Sequence, residues 1–339
     1  MYESRRRLYK QLERERDSKV VAYVTGDRKN LEAAIAHDAV DLFVDHLDLI
    51  GPTSRITLYL YTRGGDTLAA WSLANLLRTF CDSLEIMVPT RAHSAGTLIS
   101  LAAETVVMTK QAALGPIDPS VTGPLNPPIP NAQPNNVVPV SVEAVNGFVE
   151  FAQAALGDSC DLKDVLLKLA DSVHPMVLGQ AYRARRQIRM LGERLLRHHM
   201  TDDHQDDSNI ERILDFLCSD SGSHDYTINR REAAALGLPM EIPSRELYGL
   251  IKAVFDDVVA ELDLRQPYNP AMALAGREEA TYSLPRALIE SVDGGSHVFV
   301  SEGTLTQHQV QVQGQPGIIQ QAVTDQRSFE GWRKQNGRS

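Results

Sequence analysis

Apolar residues in the first third of the chain fall into two rhythms. Short unbroken runs at 19–25 (KVVAYVT), 56–61, 84–88 and 105–108 predict buried strands, the first closed by Gly26. Between them apolar positions return at helical spacing: Ala34, Val40, Leu42, Phe43, Leu47 and Ile50 across 33–50, with further helices at 68–80 and 95–103. Strands alternating with helices of this length imply parallel pairing through βαβ crossovers, and so an α/β fold.

The rhythm breaks at 115–139, which holds eight prolines and several asparagines. Proline removes backbone donors and fixes φ, so a long irregular loop is expected there, either covering substrate or forming a plain surface excursion. From Ser141 the chain turns helical. Residues 181–200 predict a basic amphipathic helix with Ile188, Leu191, Leu195 and Leu196 as its apolar stripe, its arginines either binding a phosphate or an acidic partner or, as is more usual, forming a solvated or inter-subunit face. An acidic connector at 202–207 precedes a short helix at 210–217 and a polar turn at 219–225. A helix from 229 to 236 is ended by Gly237, and another at 244–262 has Ser244 as its N-cap and Glu246 in its first turn.

The two ends differ from this body. Residues 4–17 alternate basic and acidic side chains with Leu8 and Leu12 four apart, which predicts a mostly solvated helix available to a partner subunit. From about residue 285, alternation at 297–300 and 307–312 around Gly303 and Gly314 predicts a small β appendage. The expected division is a charged helix at 1–17, a main domain at 18–263 and a C-terminal extension with a β-rich tail at 264–339.

Composition narrows the function classes. A formal charge of −10 argues against a general nucleic-acid surface. No apolar run approaches the roughly 18 residues of a spanning helix, and the charged N-terminus lacks the apolar core of a secretion signal. Cys81, Cys160 and Cys218 are scattered, which fits neither a disulfide framework nor a metal site. A reducing, cytoplasmic setting without membrane association is the expectation, with no cofactor and no metal.

Two motifs carry chemistry. The strand LYLYTRGG (58–65) ends in Gly64 and Gly65, followed by Asp66 and a helix, so backbone N–H groups at this junction are expected to lack internal partners and to suit a developing negative oxygen. One βαβ unit later, Ala92-His93-Ser94-Ala95-Gly96 presents a serine between strand and helix among small neighbours. Ser94 is then either a helix N-cap or a nucleophile, with the N–H of Ala95 as a second oxyanion donor. The ordered pair favours acyl chemistry.

The run RGGD…AHSAG…LGPIDPS, followed by SHDYTINRREAAALGLP, resembles the serine dehydrogenase proteinase family across roughly residues 18 to 263. That family is related to signal peptide peptidase A and to the Clp protease proteolytic subunit. The resemblance implies a ClpP/crotonase-like fold of parallel βαβ units with a helical C-terminal part and a small β-rich tail. It also implies Ser94 as nucleophile, Gly64 and Ala95 as oxyanion donors, and Gly65 as their support. The Clp subunit carries its histidine where this chain reads Ile117-Asp118-Pro119, so the base must lie elsewhere. His224, in a segment similar to the family's His-Asp-Tyr, is the first candidate, with Asp118 or Asp220 to orient it; Asp220 falls near the Clp triad aspartate when counted back from Gly237. Signal peptide peptidases use lysine instead. Of Lys110, Lys163 and Lys168, none sits in a matching motif, and Lys163 or Lys168 forms the second option. His93 ranks below His224, because neighbouring side chains on a turn diverge.

The resemblance implies an ATP-independent serine peptidase acting on a peptide or protein substrate, assembled as a homo-oligomer, a trimer or larger. A catalytically degenerate scaffold that binds a peptide or protein partner is the alternative, and crotonase-like acyl-CoA chemistry a third reading.

Overall fold

The computed structural model describes residues 2–129, 136–200, 204–220, 222–311 and 319–335. The chain opens with α1 (Tyr2–Arg16), β1 (Lys19–Thr25), α2 (Asp38–Ile50), β2 (Thr53–Tyr61), α3 (Thr67–Phe80) and β3 (Cys81–Val88). It continues with β4 (Arg91–Ala92), α4 (Ala95–Ser100), β5 (Thr105–Met108), β6 (Ala113–Leu114), β7 (Ser120–Val121) and β8 (Val140–Ser141). A helical stretch follows: α5 (Val142–Leu156), α6 (Leu162–Ser172), α7 (Pro175–Leu196) and α8 (His204–Asp215). Next come β9 (Ile228–Asn229), α9 (Arg230–Ala235), β10 (Met240–Glu241), α10 (Arg245–Glu261) and α11 (Pro270–Leu274). The chain closes with β11 (Glu279–Ser291), β12 (Gly295–Gln311) and β13 (Ile319–Gln335).

Strands β10-β5-β3-β2-β1-β11-β12-β13 form one eight-stranded sheet. Pairing is parallel from β10 to β1 and antiparallel from β1 outward through β11, β12 and β13. The unbroken apolar runs are buried on both faces, as parallel strands between helical layers must be. Val21 and Tyr23 of β1 pack with Phe43, Leu47 and Leu73 in one core, while Val20, Ala22 and Val24 face Tyr9, Leu12, Ile251 and Val254 in the other. The fold is therefore the expected α/β arrangement of parallel βαβ units, with helices after residue 141 and a β-rich end. That end is continuous with the main sheet, since β11 bonds to β1 from Val21↔Ser291 to Thr25↔Ala287.

Several local expectations change. The N-terminal helix is solvated over most of its length, as expected, but Arg5, Tyr9 and Leu12 form a buried stripe, and with it the helix lies on α10 and β11 of its own chain. Arg5 is fully buried, with its guanidinium 2.6 Å from Glu290 and 2.7 Å from Glu261, and Tyr9 donates to Glu290 at 2.8 Å. Paired charges can be buried where their hydrogen bonds are made, a possibility that the alternating charge pattern conceals. Helix α2 starts later than 33 because Ile35 is used in strand fashion, its N–H donating to Gly64 O and its C=O accepting from Asp66 N, both at 2.8 Å. Gly303 is not in a turn. It sits inside β12 at a register shift, where a Cβ would fall 2.6 Å from Gln326 O. Gly314 lies outside the described residues.

Of the proline-rich stretch, residues 130–135 lie outside the described residues; the rest is held by β7 pairing with β8 and by a bridge between Pro128 and Val137. Asn126, buried, ties its two limbs by donating to Val121 O at 2.7 Å and Val138 O at 2.9 Å.

Candidate active site

A second, three-stranded sheet gathers the segments that bear chemistry. Its order is β4-β6-β9, parallel between the first two and antiparallel between the last two. Strand β4 runs into Ser94, β6 runs toward Asp118, and β9 follows His224. The Gly64–Gly65 turn joins the same ladder, because Thr62 N donates to Arg91 O at 3.2 Å and His93 N donates to Thr62 O at 3.1 Å. Four segments distant in sequence are thus held by backbone bonds rather than by flexible side chains.

Ser94 sits at φ 51° and ψ −114°, a conformation that L-residues avoid. Its hydroxyl makes no capping bond to α4, so the N-cap reading does not describe it. Holding a non-glycine residue in such a region costs on the order of 1–3 kcal/mol and persists only where the surroundings enforce it. Thr97, one turn into α4, supplies part of that enforcement: its Oγ1 donates to Ala92 O at 2.8 Å and accepts from Gly115 N at 3.0 Å.

The glycine pair lies directly against the serine. A Cβ on Gly64 would fall 2.8 Å from Ser94 Cβ, and one on Gly65 would fall 2.3 Å from Ile35 O. Both have positive φ, 116° and 146°, which only glycine adopts freely. Their N–H groups differ. Gly64 N donates to Thr62 Oγ1 at 2.9 Å, whereas the N–H groups of Gly65 and Ala95 have no acceptor among the described residues. Gly64, expected as a donor, therefore has its N–H already engaged. At the start of α3 the Asp66 side chain accepts from Ala69 N at 2.7 Å, so one of the N–H groups of that first turn is taken up.

His224 Nδ1 lies 2.8 Å from Asp118 Oδ1. Asp118 is 5% exposed, while the histidine is half exposed. An ionised carboxylate only accepts, so Nδ1 carries a proton and Nε2 is the free basic nitrogen. The hydrogen bond to Asp118 raises the imidazole pKa above its ordinary value, with partial burial opposing. The His224 loop is anchored by Tyr226, whose hydroxyl donates to Glu232 on α9 at 2.6 Å. Asp118 is anchored by its neighbour Ile117, whose N–H donates to Leu217 O at 2.9 Å.

The other candidates fare differently. Asp220 ends the helical turn Phe216–Asp220, and its side chain lies outside the described residues. Lys163 and Lys168 are exposed on α6, Lys168 with Asp171 at 3.9 Å, so neither has the buried setting that the lysine option calls for. Lys110 is exposed and lies over the Tyr248 ring at 5.2 Å. His93 is held against Gly115, and burial lowers its pKa to about 4; its Nε2 is buried without a partner. Thr62 and Thr97 went unread in the sequence, because a threonine two residues before a glycine or within a helix has no distinctive spacing.

Residues 1–135 match the family model described as ClpP-like SDH-type serine proteinase. Two relatives from Methanocaldococcus jannaschii are similar. The uncharacterized protein MJ0137 is 29% identical over 199 residues, covering 58% of this chain and 57% of the relative. The uncharacterized protein MJ1495 is 27% identical over 128 residues, covering 34% of this chain and 42% of the relative. The chain thus spans about half the length of these relatives.

Proposed function

We propose that this chain, whose residues 1–135 match the ClpP-like SDH-type serine proteinase family, is a serine peptidase in which Ser94, His224 and Asp118 act as nucleophile, base and orienter. Ser94 Oγ attacks the peptide carbonyl while His224 Nε2 takes its proton. Asp118 keeps the imidazole in the required tautomer and steadies its charged form. The tetrahedral oxyanion accepts from the free N–H groups of Gly65 and Ala95, with Gly64 serving as the close-packed turn beside them. His224 then returns the proton to the leaving amine, and water repeats the sequence to release the acyl group.

The observation that carries this reading is the coincidence of an uncapped, left-handed serine with a histidine–carboxylate pair, both hung on one three-stranded sheet. A fluorophosphonate probe should label the wild-type protein and fail on Ser94→Ala. Equal labelling of both would overturn the proposal.

The reading includes a homo-oligomer. Phe151, Leu156, Leu162, Leu166, Leu167 and Met176 on α5, α6 and α7 are all exposed, a concentration of apolar surface that a partner copy would cover. It also includes residues 18–263 as the catalytic unit, action without ATP, and a cytoplasmic setting, where the three free cysteines would stay reduced. No helix among the described residues is long and apolar enough to cross a membrane.

A further inference from the structure

The chain carries an excess of ten negative charges, yet the surface beside Ser94 is basic. Two cavities of about 330 and 500 Å³ share Arg63, Thr90 and Arg91 as a common wall. Arg63 directly precedes the Gly64–Gly65 turn, and Arg91 lies on β4 just before Ser94. The larger cavity is completed by His93, Lys110 and Asp225 among others, placing it next to the chain neighbours of both Ser94 and His224. The smaller one extends toward Lys29 and Arg265.

Five cations therefore line this double cleft against two carboxylates, Asp27 and Asp225. Asp27 is committed: its Oδ2 accepts from Arg63 Nε at 3.1 Å and Arg91 Nη1 at 2.8 Å, and its Oδ1 accepts from Tyr61 at 2.5 Å. One acid thereby holds two guanidinium groups in place without using all their donors. Lys29, Lys110 and Arg265 form no ion pair among the described residues. Gathering like charges around one cleft carries a repulsive cost, which an incoming anion would relieve.

We propose that this cleft binds carboxylates of the substrate, so that peptides bearing acidic side chains or a free C-terminal carboxylate beside the scissile bond are preferred. The inference rests on the peptidase reading for its context, but binding tests it separately from catalysis. Ser94→Ala protein is titrated against fluorescein-labelled peptides by anisotropy: a glutamate-containing peptide and its glutamine counterpart, each with a free or an amidated C-terminus. The expected result is binding tighter by about tenfold or more for the carboxylate-bearing peptide, weakening as salt is added. Loss on glutamine replacement assigns the cleft to acidic side chains, and loss on amidation assigns it to a C-terminus. Lys110→Gln and Arg265→Gln, both exposed, should each reduce the preference in the Ser94→Ala background without dependence on the Asp27 cluster. Equal affinity for all four peptides overturns the proposal, even where the fluorophosphonate probe labels Ser94. Carboxylate-dependent binding without any labelling of wild type would retain the cleft and remove the peptidase.

Discussion

Asp118→Asn keeps the size of the orienting side chain while removing its charge. In the wild-type protein Asp118 is 5% exposed and accepts from His224 Nδ1 at 2.8 Å. A hydrogen bond to a charged group contributes about 1.5–3 kcal/mol where a neutral one contributes about 0.5–1.5, so the charge alone is worth roughly a factor of ten in stabilising the imidazolium. The amide can also donate, which favours the tautomer with its proton on Nε2 and takes away the base that Ser94 needs. Amide replacement of a triad aspartate elsewhere costs on the order of 10⁴ in rate. The expected loss here is therefore between about 10² and 10⁴, read as the second-order rate of fluorophosphonate labelling. The pH profile adds a second readout. In the proposed role His224 must be neutral to act, and its pKa is raised chiefly by the bond to Asp118. Wild-type labelling should rise with pH on an acid limb displaced above the ordinary imidazole range, and the variant's limb should move down. A raised pKa also means that this pair stabilises the fold fully below the unfolded imidazole pKa, and that the contribution fades as pH rises through the folded value. Asp118→Asn should accordingly lose more stability in mild acid than in mild alkali. A variant labelled at the wild-type rate, with an unmoved acid limb, would refute the assignment of Asp118 as orienter.

Three further outcomes are expected. Thr62→Val removes the acceptor of Gly64 N and the partner of Thr25 Oγ1 at 2.7 Å, both buried, and should lower stability by about 1–3 kcal/mol in denaturant titration; unchanged stability would mean that the turn does not depend on Thr62. His46 is fully buried, bonded to Ser291 at 2.7 Å and His297 at 2.9 Å, and burial lowers its pKa to about 4. Its neutral form therefore supports the fold above the unfolded pKa near 6.5, and about 3 kcal/mol should be lost as pH falls from there toward 4; a flat chemical-denaturation profile across that window would contradict this. Leu166→Asp with Leu167→Asp should shift sedimentation from the oligomer to a monomer, whereas a wild-type protein that is already monomeric would remove the proposed interface.

The legible part of the candidate site was its backbone. Gly64 and Gly65 at a strand end announce conformations that few other residues allow, and both occupy positive φ; Ser94 among small residues announces a sharp turn, and its own positive φ is enforced by its surroundings. The strands β1, β2, β3 and β5 were legible for a related reason, because a strand buried on both faces must be apolar throughout. The N-terminal helix misled: alternating charge reads as solvation, yet Arg5 is buried because Glu290, Asp257 and Glu261 converge on it from positions more than two hundred residues away. His224 became a candidate only through resemblance, since nothing in its local spacing distinguishes a base from a turn histidine.

The sequence by itself determined which backbone segments can turn sharply, which runs must be buried, and that the chain builds an α/β fold. Those are local consequences of side-chain volume, φ freedom and apolar period. Only the tertiary structure decided that the N–H of Gly64 is engaged by Thr62 while that of Gly65 is free. It also decided that Asp118 meets a histidine 106 residues further on. Hydrogen bonds and charge pairs depend on distances of a few tenths of an ångström between segments remote in sequence. For Asp118 and His224 the pairing of β6 with β9 brings the two segments together, which no local pattern encodes.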